Sequence, residues 1–204
     1  DLRTPLATMR TAVDGLVSGT LDPADQKELV GAVEDSTEQL ERLIDNLLDL
    51  SRIQSGLLHP VLRDRSLEEI LPLAVTGHTP GTVVLELDET APLVHTDAGL
   101  LERVVANLVA NAVRASRGET VRVLAHVLPE SVEVLVVDRG PGVDPALRER
   151  MFDPFQRLDD TSPGGLGLGL AVARGLTEAM GGVLTAEDTP GGGLTMVLSI
   201  PRSM

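Results

Sequence analysis

Asn107-Leu-Val-Ala-Asn111-Ala-Val-Arg114 is the stretch that decides the fold. It lies in Ala98–Ala115, where Leu100, Val104, Val105, Leu108 and Val109 recur at helical spacing. Asn107 and Asn111 are one turn apart, so they share a face that these apolar residues mostly avoid. Such a helix lays one side on a core and turns two carboxamides away from it. Downstream, Asp138-Arg-Gly140-Pro-Gly142 ends an apolar run, and Gly165-Leu166-Gly167-Leu168-Gly169-Leu170 opens another helical pattern.

Around this helix the periodicity alternates between two and nearly four. Thr82–Leu87, Thr120–Val127 and Ser131–Val137 read as strands. Val183–Glu187 and Leu194–Ile200 read as a closing hairpin around Gly191-Gly192-Gly193. Helices are expected at Ser66–Val75, Pro145–Met151 and Gly167–Met180 as well. Without regular βαβ units, this order predicts an α+β sandwich, with a mixed sheet covered by helices on one face.

Ahead of it lie two helical segments. Leu2, Leu6, Met9, Val13 and Leu16 form one heptad seam; Leu29, Val33, Ser36, Leu40, Leu43, Leu47 and Leu50 form another. Between them, Asp22 suits an N-cap and Pro23 a first helical residue. The pair predicts an antiparallel helical hairpin over residues 1–57, broken by Ser55-Gly56 and His59-Pro60 from a second domain at 61–204. A further apolar row (Val30, Ile44, Leu48, Ile53) widens the stripe on the longer helix. A second copy of the hairpin would cover it, giving a four-helix bundle as a homodimer, or the chain's own second domain would.

Composition narrows the function. The net charge of −14 speaks against nucleic acid as partner. An anionic ligand would then need local positive charge: Arg114, Arg157, helix N-termini or a divalent cation. There is no cysteine, and His59, His78, His95 and His126 are too scattered for a zinc site. No apolar run reaches membrane-spanning length and no signal peptide is visible. The chain begins in the middle of a helical pattern and reads as a fragment.

The chemistry follows from the motifs together. A carboxamide oxygen is a hard, neutral ligand suited to Mg2+ that bridges phosphates, and Arg114 stands three residues beyond Asn111. A carboxylate at a strand end, Asp138, can accept a hydrogen bond from an amine, while Gly140 and Gly142 allow a tight turn and a flat ring nearby. The Gly-x-Gly of Gly165–Gly169 follows the polar loop Asp159–Gly164 and not a strand, so it does not fit a Rossmann fingerprint. A lid over phosphates suits that context, with backbone N–H groups of the next helix turned to the anion. Phe152 and Phe155 would anchor the lid, and Arg157 would reach the phosphates. Taken singly, each motif has a plainer account: a solvated polar face, an Asp-Gly turn, a packing run of glycines, or core aromatics.

In this order and combination they resemble the sensor histidine kinases. Asn107/Asn111 resembles the N box of that family, Asp138–Gly142 the first glycine box, Phe152-Asp-Pro-Phe155 the F box, and Gly165–Leu170 the second glycine box. Asp1-Leu-Arg-Thr4-Pro5-Leu6 resembles the segment after the phosphorylated histidine. Phe155–Leu158 and the run from Leu170 to Gly182 look most like the Kdp-type, potassium-responsive members. The resemblance implies a Bergerat-type ATP-binding domain, with ATP and Mg2+ as its ligands. Asn111 would ligate Mg2+ and Asn107 support the phosphates. Asp138 would hold the adenine amine, and the glycines would shape pocket and lid. Asp1 would act as acid/base partner of the phosphorylated histidine, and Thr4 would orient water in the reverse, phosphatase direction.

It also implies a homodimer that passes phosphate to an aspartate of a response regulator. The fragment would be the cytoplasmic part of a membrane-anchored protein. The acceptor histidine itself is absent from the sequence and would stand just before Asp1. Related ATPases carry Glu where Asn107 stands; an amide lacks that basicity, so hydrolysis would be slow and the γ-phosphoryl would await a better nucleophile. Two alternatives are an anti-sigma-type serine kinase on the same ATP fold, which would lack the hairpin, and a non-enzymatic dimerisation module with a degenerate nucleotide pocket.

Overall fold

A computed structural model describes residues 3–17, 21–87, 93–156 and 166–203. Asp1, Leu2, Arg157, Gly165 and the polar loop Asp159–Gly164 lie outside these described residues.

The hairpin consists of α1 (Arg3–Val17) and α2 (Pro23–Gln54). As expected, Asp22 caps α2, its Oδ1 accepting from the N–H groups of Ala24 at 2.8 Å and Asp25 at 2.9 Å. The helices run antiparallel: the Thr37 hydroxyl donates to the Met9 sulfur, and Gly15 lies against Leu29. The expected seam holds on α2, where Ser36 and Leu43 are buried. On α1 it holds at the half-buried Met9 and Leu16 but is off by one at Leu6 and Val13. Pro5 and Ala12 are buried, whereas Leu6 and Val13 are about half exposed. Small residues let the backbones approach closely: a Cβ on Gly15 would lie 2.9 Å from Leu29 Cδ1. The leucine–valine row of α1 is left facing away from α2.

The rest forms the expected sandwich. A five-stranded mixed sheet has the order β2 (Val83–Glu86), β4 (Val121–Val127), β5 (Ser131–Val137), β7 (Leu194–Pro201), β6 (Val183–Asp188). β2 and β4 are parallel; the other pairs are antiparallel. Alternating residues Val121 and Val123 of β4, and Val132, Val134 and Val136 of β5, enter one core with α3 (Leu67–Ala74), α4 (Ala98–Ser116) and α5 (Gly169–Ala179). β1 (Arg63–Ser66) and β3 (Leu93–Thr96) add a two-stranded antiparallel sheet that the sequence reading lacked. Its polar Arg-Asp-Arg-Ser strand carries no apolar alternation. The helix expected at Pro145–Met151 is two 3-10 turns, Pro145–Leu147 and Glu149–Phe152. Among the described residues no helix is long and apolar enough to cross a membrane.

α4 shows why the site faces where it does. Asp97 caps it by accepting from Gly99 and Leu100 N–H. Leu101, Val104, Val105, Leu108 and Val109 are fully buried. Asn107, Asn111 and Arg114 are therefore turned off the sheet. On the neighbouring α5, Leu176 is fully buried in the same core. Leu176→Ala should cost roughly 2–5 kcal/mol. Urea unfolding should show a lower midpoint at an unchanged slope.

Candidate nucleotide site

A cavity of about 500 Å³ opens between α4, the end of β5 and the start of α5. That volume falls in the range of small-molecule sites. Asn107, Asn111 and Arg114 line it from α4, Asp138 and Gly142 from the β5 end, and Leu166 through Leu170 from the entry to α5. The motifs that the sequence spreads over more than sixty residues thus meet in one place.

Asp138 is nearly buried, with 2% exposure. Its Oδ1 accepts from Gly140 N–H at 2.8 Å and from Leu194 N–H at 3.0 Å. Both bonds fall on one oxygen. They fix the carboxylate plane and leave Oδ2 as an acceptor without a hydrogen bond to any described residue. Leu194 reciprocates through its carbonyl, which accepts from Asp138 N–H at 2.9 Å. Gly193 makes this crossing possible. Its φ is +112°, and a Cβ there would sit 2.1 Å from the Asp138 carbonyl oxygen.

The second glycine cluster has a similar constraint. Gly167 takes φ +69°, and a Cβ would fall 2.4 Å from the Gln156 carbonyl oxygen. The helix begins at Gly169, two residues later than expected, because Gly167 turns the chain into it. No side chain caps this terminus. Its first N–H groups are the kind of donors that hold an anion.

Three expected residues are placed otherwise. Phe155 is 61% exposed, has φ +65° and does not line the cavity; only its backbone takes part, donating to Gly167 O at 3.0 Å. Phe152 is buried, with the Arg174 guanidinium 5.0 Å above its ring. Gly140 does not line the cavity either. It lets the turn press on α4, since a Cβ would lie 2.7 Å from the Ala115 carbonyl oxygen. Thr4 lines a shallow groove between α1 and α2 that shares no residue with the cavity. Asp1, Arg157 and Gly165 are outside the described residues.

The residues that sequence reading missed come from the hairpin. Gln39, Arg42, Leu43 and Asn46 of α2 form one wall. Asn46 Oδ1 accepts from the Asn107 amide at 3.4 Å. One turn away, Arg103 of α4 pairs with Asp49 of α2 at 2.5 Å, and Ile53 packs against Gly175 of α5. The row expected to widen the stripe on α2 is thus divided. Ile53 serves the chain's own second domain, while Val30, Ile44 and Leu48 stay about half exposed. Asp49, set among leucines, was the visible signal that this part of α2 has a charged partner. Burial pushes its carboxyl above the usual range; Arg103 and Arg52 pull it back in part, and Asp45 adds to the rise.

Donor chemistry also bears on a cation. Among the described residues no group of three or more His, Asp or Glu could cage a metal. A lone carboxamide such as Asn111 fits instead an ion that keeps its waters and arrives with phosphates.

Comparison with known proteins agrees with this geometry. Residues 1–56 match the His Kinase A (phospho-acceptor) domain, and residues 96–204 match the histidine kinase-, DNA gyrase B- and HSP90-like ATPase family. The chain is 44% identical to Sensor protein KdpD of Mycobacterium tuberculosis (strain ATCC 25618 / H37Rv), over 98% of this chain and 24% of that protein. It is 34% identical to Sensor protein KdpD of Escherichia coli (strain K12), over 99% of this chain and 23% of that protein. It therefore spans about a quarter of the length of these curated relatives. Full-length ShkA in complex with AMPPNP superposes with a TM-score of 0.72 at 25% identity, over 98% of this chain and 44% of that chain. The histidine kinase AdeS of Acinetobacter baumannii shares the fold with a TM-score of 0.70 at 24% identity, over 100% of this chain and 96% of that one.

The buried carboxylate between the helices can be tested without any nucleotide. Its folded-state pKa lies above the ordinary aspartate value, so the folded protein holds this proton more tightly than the unfolded chain. Stability from this group is full below 3.8 and falls as pH rises through the raised value. Asp49→Asn removes that slope. The stability of the variant relative to the parent should rise with pH across the mildly acid range and then level off. Chemical denaturation at several pH values measures it; a constant difference would contradict the buried-charge account.

Proposed function

We propose, for a chain that belongs to the histidine kinase-, DNA gyrase B- and HSP90-like ATPase family and carries a sensor histidine kinase core, that it binds Mg-ATP in this cavity and passes the γ-phosphoryl to a histidine. The observation that carries the reading is convergence. Asn111 and Asp138 lie on different elements and line one cavity, with the glycine turn of Gly167–Gly169 lining it too. The hairpin at 1–57 would be the phosphotransfer domain and 61–204 the ATP-binding domain.

Each residue then has a task. Asp138 Oδ2 accepts a hydrogen bond from the adenine amine, because Oδ1 is already held by two backbone donors. Asn107 and Asn111 face the polyphosphate, Asn111 as the Mg2+ ligand. The ion supplies charge neutralisation on the phosphates when bound. Backbone N–H groups at the start of α5 face the same anion. None of these groups is a strong base, so water at the γ-phosphate is poorly activated and the phosphoryl waits for an imidazole. This suits transfer by positioning and charge neutralisation. The acceptor would be a histidine just ahead of Asp1, with Asp1 as its acid/base partner and Thr4 orienting water in the reverse reaction. An aspartate of a response regulator would take the phosphate next.

The exposed apolar row of Leu6, Val13, Val30, Ile44 and Leu48 supports a homodimer through the hairpin. The KdpD relatives support a potassium or osmotic stimulus, sensed by segments of a membrane-anchored protein whose kinase part is cytoplasmic.

Asp138→Ala removes an ionised acceptor worth roughly 1.5–3 kcal/mol. ATP affinity measured by calorimetry should fall about tenfold to a hundredfold with helical content unchanged. Equal affinity would remove Asp138 from the adenine site. The acceptor type has its own test in a chain extended upstream of Asp1. Its phosphorylated product should lose label in acid, as phosphohistidine does; an acid-stable label would favour a serine kinase instead.

A further inference from the structure

We infer that the nucleotide site extends onto the hairpin, and that Arg42 of α2 contacts the β- and γ-phosphates of a nucleotide held by the chain's own ATP-binding domain. This rests on the nucleotide reading above and adds a residue from the other domain to it.

The register between α2 and α4 places Arg42. Asp49 pairs with Arg103, and Asn46 bonds Asn107. Going down α2 by three residues goes up α4 by four, so the two helices run antiparallel along this contact. The next turn on each brings Arg42 level with Asn111, and both line the cavity. Arg42 thus stands beside Asn111, the proposed Mg2+ ligand, one turn of α4 before Ala115, where the Gly140 turn packs.

Charge favours the same assignment. Among the described residues, the ionised side chains lining the cavity are Arg42, Arg114 and Arg117 against Asp138. Three positive and one negative give a local excess of two positive charges in a chain of net −14. A concentration of cations against the overall sign is what a polyanion needs. Arg42 makes one weak contact, with Glu38 at 3.5 Å, and its side chain is 65% exposed. An exposed ion pair of this kind holds a guanidinium loosely, so exchange for a phosphate oxygen meets little resistance. A guanidinium fork also matches phosphate geometry better than an ammonium.

The test is calorimetry on the whole chain with Mg-ATP and with AMP. Arg42→Ala should weaken Mg-ATP roughly threefold to fivefold, the size of an exposed charge contact, and leave AMP unchanged. Arg42→Glu should weaken Mg-ATP about tenfold or more, and the effect should shrink in high salt. Because Arg42 is exposed, circular dichroism of both variants should match the parent. Equal Mg-ATP affinity in parent and Arg42→Ala overturns the inference, as does an equal loss for AMP. A parent chain that binds neither nucleotide would instead overturn the reading on which the inference rests.

Discussion

The structure depends on one helix having two faces. α4 must bury Leu101, Val104, Val105, Leu108 and Val109 against the sheet, since aliphatic burial is the main drive for folding in a domain with two aromatic residues. A helix pinned by five such residues has no freedom to rotate. Its opposite side is therefore fixed in space, and with it Asn107 and Asn111. Every other part of the cavity is arranged against that fixed line: the carboxylate at the end of β5, the glycine turn before α5, and the wall supplied by α2.

Much of this was legible in the sequence, and for a local reason. Spacing alone set Asn107 and Asn111 on one face, and the apolar run before Asp138 set that carboxylate at a strand end. Asp22-Pro23 marked the start of α2 correctly because a cap is a contact between near neighbours. What stayed hidden were contacts between distant segments of similar periodicity. The α1 seam missed by one residue because Pro5 and Ala12 permit close approach, a property of the backbone that hydrophobic counting does not weigh. Phe152 and Phe155 stand three residues apart in the sequence, yet only Phe152 is buried, while Phe155 takes a positive φ and stays exposed. The α2 wall was not readable at all: polar residues at Gln39, Arg42 and Asn46 look like any solvated helix face until a second domain is laid on them.

Asp49 shows how the two domains are held. A buried carboxylate next to a guanidinium is a weak source of net stability, because desolvation offsets the attraction. It is, however, intolerant of misalignment. Apolar contacts such as Ile53 on Gly175 give α2 and α5 adhesion that slides easily, whereas the Asp49–Arg103 pair with the Asn46–Asn107 bond selects one register. The docked arrangement is thereby specified more than it is strengthened.

The order of strands has a consequence for biosynthesis. β7, which follows β5 and β6 in the chain, lies inside the sheet between them, and its Leu194 exchanges two hydrogen bonds with Asp138, one with the backbone N–H and one with the carboxylate. A nascent chain can form the hairpin early, but the β5 edge stays unpaired until β7, made after β6, has emerged. The backbone N–H and C=O groups along that edge lack their ladder partners during that interval. A chain cut ahead of Leu194 would hold a folded hairpin attached to an unfinished sheet.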